Sequence, residues 1–128
     1  MEEKNNPLSP HLQIYKWQIS SLLSITHRIV GVINIIAITV ICFWSLSLLL
    51  GAESYVIINY FFQSFLGKFV AIGLCWTFSF HILNELRHLF WDLGYGFDLK
   101  ISKITGVLAL LGSFVLTILF YLIGKNIF

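Results

Sequence analysis

Charge is scarce in this chain of 128 residues, with eight Lys and Arg and six Asp and Glu, 11% of the whole. A water-facing surface needs far more, so composition excludes a soluble globular domain. The net charge of +2 is too small to point to nucleic acid. There are two prolines and no low-complexity run, which excludes a flexible linker, and no internal repeat. The two cysteines, Cys42 and Cys75, both fall in apolar stretches and lack C-x-x-C spacing. They offer no disulfide framework and read as core residues. The first 28 residues carry Glu2, Glu3, Lys4, Lys16 and Arg28, with Pro7 and Pro10, and no apolar signal-peptide core. The expectation is that the membrane segments belong to the mature protein.

What the chain has instead is hydrophobic residues, 58% of the total, at a mean hydropathy of +0.87. That is the composition of an integral membrane protein. Three runs are long enough to cross a bilayer as helices, at 29–50, 62–86 and 104–124, behind an N-terminal segment of residues 1–28. The first would reach roughly 33 Å at about 1.5 Å per residue. The expected fold is all-α, a single membrane domain over 1–128 with three transmembrane helices. Lys4, Lys16, Arg28, Arg87, Lys100 and Lys103 flank one side, while Lys68 and Lys125 flank the other. This asymmetry predicts an N-terminus on the cytoplasmic or matrix side. Trp17, Trp91 and Tyr95 lie near the same boundary and read as interfacial anchors.

His81 stands out within this background. Between Phe69 and Leu83 its only ionisable companion is Cys75. An imidazole in hydrocarbon has a partner or a task, and metal ligation, most economically of haem iron, is one such task. The alternative is a buried histidine bonded to a nearby carbonyl. Of four histidines, His11, His27, His81 and His88, only His81 lies well within a span. A bis-histidine haem would therefore take its second ligand from another chain. Ser24, His27 and Arg28 share one helical face at i, i+3 and i+4. A fixed guanidinium and a hydroxyl there suit a haem propionate or a quinone carbonyl, or simply mark the positive side. His88 and Asp92, at i and i+4, form either a polar proton path or an ordinary interfacial pair.

Three segments then carry a resemblance. They are Ser9-Pro10-His11-Leu12-Gln13-Ile14-Tyr15, Ser24-Ile25-Thr26-His27-Arg28-Ile29-Val30-Gly31, and the stretch from His81 through Asn84-Glu85-Leu86-Arg87-His88 to Trp91-Asp92-Leu93-Gly94-Tyr95. In this order they resemble the cytochrome b556 subunit family of succinate dehydrogenase, the larger membrane anchor of respiratory complex II. The resemblance implies haem b on His81, with the other axial ligand from the small membrane anchor subunit. It implies ubiquinone as substrate at Ser24 and Arg28, and haem propionates near His27 and Arg28. His88 and Asp92 match the polar end of the same site. FAD and iron–sulfur clusters are implied only in the partner flavoprotein and iron–sulfur subunits. The implied location is a bacterial inner membrane, with the mitochondrial inner membrane as alternative. The alternative function is a haem-free structural tether of a related succinate dehydrogenase or fumarate reductase.

Two residues depart from the family pattern. Glu85 stands where the family commonly has glycine, and Trp17 where it often has proline. Glu85 lies one turn beyond His81, on the same face. The expectation is a compensating basic residue on the partner subunit; a clash with cofactor packing and a pairing with His88 at i+3 stay open.

Overall fold

The structure is a computed structural model that describes residues 17–127. The motif Ser9–Tyr15 therefore lies outside the described residues. Four helices follow one another: α1 (Ile19–Leu50), α2 (Ala52–Gln63), α3 (Phe65–Asp92) and α4 (Leu99–Ile127). No strand occurs among the described residues. Three helices, α1, α3 and α4, are long and apolar enough to cross a membrane. The all-α, three-span fold class is thus the one expected from hydropathy.

The helices overrun the apolar runs. α1 has 32 residues, about 48 Å of helix, and begins ten residues ahead of the run at 29–50. Ser24, His27 and Arg28 consequently sit on the second and third turns rather than at its mouth. α1 ends at Gly51, whose φ of 113° is a conformation that suits glycine alone. A short helix absent from the sequence expectation, α2, begins at the next residue. It takes Phe62 and Gln63, which the apolar run had assigned to the second span. The break between α2 and α3 is made by Ser64, extended at ψ 160°, whose hydroxyl oxygen accepts from the Gly67 amide at 3.1 Å. That is a helix N-cap. A side chain at Gly67 would collide with the Phe61 carbonyl oxygen, so the tight corner requires glycine there.

α3 is central, packing against α4, α1 and α2, while α1 and α4 touch more lightly. Gly31 meets His81, and three residues on Asn34 meets Thr77, so α1 and α3 run antiparallel. Few large apolar side chains are buried among the described residues; Leu23, Val30 and Phe80 form a core cluster, flanked by Leu110. Asn34, Ser47, Thr77, Ser79, Asn84, Arg87, Ser113 and Thr117 are buried as well. Large apolar residues such as Ile35, Phe69 and Ile118 point outward. Small and polar inside with apolar outside is the order expected where lipid is the solvent. Thr77 donates to Asn34 Oδ1 at 2.9 Å, joining α1 to α3 in that interior.

Candidate functional site

The polar side chains gather where the first turns of α1, the last turns of α3 and the start of α4 meet. On α3, His81, Asn84, Glu85 and His88 follow at i, i+3, i+4 and i+7, which puts them on one stripe. His27 of α1 faces that stripe. Its ring stacks on His81 with centroids 4.4 Å apart and planes 15° from parallel. His88 lies beyond, 5.5 Å from His27 between centroids. Gly31 lies beside the stack, where a Cβ would stand in contact with His81 Cε1 at 3.4 Å.

Glu85 closes the group. Its Oε1 lies 3.2 Å from His27 Nε2 and 3.7 Å from His81 Nε2. The first contact is at ion-pair distance, yet it is not a hydrogen bond, and His27 Nε2 remains buried and unsatisfied. Glu85 therefore faces histidines of its own chain, and no ion pair joins it to His88 among the described residues. His81 Nδ1 is also buried without a hydrogen bond. His27, His81 and Glu85 together bring three metal-ligating atoms within 4.8 Å of one another. The parallel stacking of the rings works against one small ion using both, since their lone pairs run side by side rather than converge. A planar ligand held by one imidazole makes no such demand.

Arg87 was read from the sequence as a flanking charge; in the structure it is 8% exposed and turned inward. Nη2 donates to the Ser102 carbonyl and hydroxyl, both at 2.9 Å, Nε to Thr105 Oγ1 at 3.2 Å, and Nη1 to Asn84 Oδ1 at 3.4 Å. The guanidinium also lies 4.1 Å from the centre of the Trp91 ring. Trp91 in turn donates from Nε1 to the Gly96 carbonyl at 3.2 Å and meets His88 edge-on. It is thus a packing element of the site beyond any role as an interfacial anchor. Gly106 of α4 lies beneath this arrangement; a side chain there would strike the end of Leu23 and come into contact with the Arg87 guanidinium.

A cleft of about 420 Å³ opens beside this group, lined by Ser20, Ser24, Asn84, Arg87, His88 and Trp91 among others. Ser24 and His88, both read from the sequence as site residues, share it. Arg28 is exposed and outside its lining, as is Asp92, and no ion pair joins Asp92 to His88 among the described residues. Asn84 and Arg87 are the members that sequence reasoning missed. The signal for Asn84 was its place on the polar stripe of an otherwise apolar helix; Arg87 lies off that stripe and reaches the site by turning onto α4.

The chain matches the family described as "Succinate dehydrogenase/Fumarate reductase transmembrane subunit" over residues 2–120. It belongs to that family. Among its relatives is a succinate dehydrogenase cytochrome b556 subunit of Rickettsia felis, 40% identical over 117 residues and covering 90% of each chain. The cytochrome b556 subunit of Paracoccus denitrificans is 33% identical over 115 residues, 90% of this chain and 88% of that one. A cytochrome b560 subunit of Reclinomonas americana is 37% identical over 127 residues, 93% of this chain and 86% of that one. The family membership makes this chain a multi-pass transmembrane subunit of the succinate dehydrogenase/fumarate reductase type.

Proposed function

We propose that this chain is the haem b- and ubiquinone-binding membrane anchor of a succinate dehydrogenase. In that role it passes electrons from succinate oxidation to ubiquinone, in the tricarboxylic acid cycle and the respiratory chain. The observation that carries the reading is the imidazole of His81, whose only charged neighbour among the described residues is Glu85 at 3.7 Å. It makes no hydrogen bond within the described chain, Nδ1 is buried, and the ring stands beside Gly31. An apolar helix retains such a group when another ligand completes it. The donor chemistry fits haem iron, and His81 would hold it through an imidazole nitrogen. Bound there, haem b supplies a one-electron carrier.

The chain's own residues do the rest. Gly31 leaves room for the ring of His81, and His27 stacks against that ring and fixes its plane. Arg28 keeps an exposed guanidinium, free to meet a propionate or a quinone carbonyl. Ser24 and His88 line the polar cleft in which the quinone head binds, and His88 and Asp92 provide titratable groups toward the aqueous side. A histidine of the small anchor subunit would complete the hold on the iron, and succinate, FAD and the iron–sulfur clusters would belong to the flavoprotein and iron–sulfur subunits. The N-terminus faces the cytoplasm or matrix, since Lys4, Lys16, Arg28, Lys100 and Lys103 outnumber Lys68 and Lys125 even with Arg87 set aside. The membrane is a bacterial inner membrane, or the mitochondrial one by likeness to the Reclinomonas relative.

A dithionite-reduced minus oxidised spectrum of the complex purified through this chain tests the reading. The expected result is a low-spin b-type signal that is lost or shifted in His81→Ala. An unchanged signal in the variant moves the ligand elsewhere. No signal in the wild type leaves a haem-free tether.

A further inference from the structure

Asn84 is among the most completely buried side chains, at 1% exposure, and its Nδ2 has no hydrogen-bond partner among the described residues. A buried amide donor left unpaired is destabilising until a partner accepts from it. Its orientation is not free to reverse. Arg87 has donors only, and one of them lies 3.4 Å from Asn84 Oδ1. Turning the amide would set two donors against each other. Arg87 is itself pinned by Ser102 and Thr105 on α4. The guanidinium thus holds the amide oxygen and leaves the NH2 group facing elsewhere. Asn84 lines the cleft that holds Ser24 and His88. No carboxylate lines that cleft, whose polar groups are hydroxyls, the guanidinium, an amide and an imidazole. Such a wall favours a neutral or anionic acceptor over a cation or a second donor.

We propose that Asn84 donates a hydrogen bond from Nδ2 to a carbonyl oxygen of the quinone head and so determines quinone affinity, with Arg87 as the positioning residue that fixes the amide. The proposal rests on the quinone reading above and assigns a donor within that cleft. A quinone carbonyl is an acceptor without a proton to give, so it meets the requirement of Asn84 without leaving either group unpaired. Discrimination follows from the same chemistry, because a site built to donate rejects a ligand that cannot accept.

The test compares intact complexes carrying wild type, Asn84→Asp, Asn84→Leu and, as reference, Ser24→Ala. Asn84→Asp keeps the shape but removes the NH2 donor; Asn84→Leu removes both polar atoms at similar size. Each is read for KM and kcat with a short-chain ubiquinone and for its reduced-minus-oxidised spectrum. The expected result is a KM raised about tenfold in both Asn84 variants, the equivalent of roughly 1.4 kcal/mol, with kcat changed less and the b-type signal intact. Raised KM in Ser24→Ala with wild-type KM in an assembled Asn84 variant overturns the role of Asn84 while leaving the cleft as the quinone site. Wild-type KM in all three overturns both. Should neither Asn84 variant assemble, wild-type complex grown with 15N-asparagine is read instead. A 15N hyperfine coupling to the quinone radical, generated by partial reduction, supports the contact, and its absence overturns it.

Discussion

The two ends of the helix bundle are built on different principles. At the histidine end, α1, α3 and α4 are tied by directional contacts, namely the Arg87 fan onto Ser102 and Thr105, the His27–His81 stack and the Glu85 approach. At the other end, α2 folds over the α1–α3 junction, and the groove there is lined largely by Val40, Ile41, Trp44, Tyr55, Phe62 and Ala71. That end is organised by a glycine stop at Gly51 and a serine cap at Ser64, both local backbone devices. A membrane interior makes hydrogen bonds between helices the means of fixing register where little apolar burial is gained. The chain concentrates those bonds where polar chemistry is kept, and leaves the other end to local geometry. A chemically specific site needs its groups fixed to fractions of an ångström, whereas a turn needs only to reverse the chain.

Substitutions at each end sharpen the contrast. The largest effect is expected for Arg87→Leu. It strands three acceptors, frees Asn84 and removes the clasp between α3 and α4, at a cost of roughly 3 kcal/mol or more. The complex should assemble poorly, and any that does should melt at lower temperature, as read by thermal denaturation in detergent. Assembly and melting like wild type would show that the fan of hydrogen bonds is dispensable.

Gly106→Val comes next. The added side chain strikes Leu23 and its methyls come up against Arg87, and overpacking of this kind costs about 1–3 kcal/mol. A lowered melting temperature should be accompanied by a smaller rise in quinone KM, as Arg87, which orients Asn84, gives way to the methyls. A stability loss with unchanged KM would separate the clasp from the cleft.

Ser64→Ala is expected to do least. It removes the cap that the Gly67 amide uses, worth about 1 kcal/mol. The melting temperature should fall slightly, and the haem spectrum and quinone KM should not move. A changed spectrum would mean that the two ends are mechanically coupled.

Much of this was legible in the chain. Hydropathy located three spans, and the isolation of His81 and the i, i+3, i+4 spacing of Ser24, His27 and Arg28 marked the end where chemistry collects. Spacing also promised that Ser24 and Arg28 would act together, yet only Ser24 lines the cleft while Arg28 faces outward. Residues one helical turn apart share a face broadly, but a cleft is narrower than a face. α2 escaped detection because most of it, residues 52–61, falls between two spans and carries Glu53 and Asn59, which hydropathy reads as a connection. The break lies in one serine cap and a glycine at close quarters rather than in a polar linker.

The sequence by itself determined the solvent of this protein, the number of its long helices and the presence of an imidazole where hydrocarbon would otherwise be. Those follow from transfer energetics and helical period, which are local properties of the chain. Only the tertiary structure decided that Arg87 turns inward onto α4 instead of out to the interface. It likewise decided that Glu85 meets His27 rather than His88, and that the amide of Asn84 is left with a donor to offer. Each of these choices depends on which residue of another helix arrives opposite, and no periodicity within one helix encodes its neighbour.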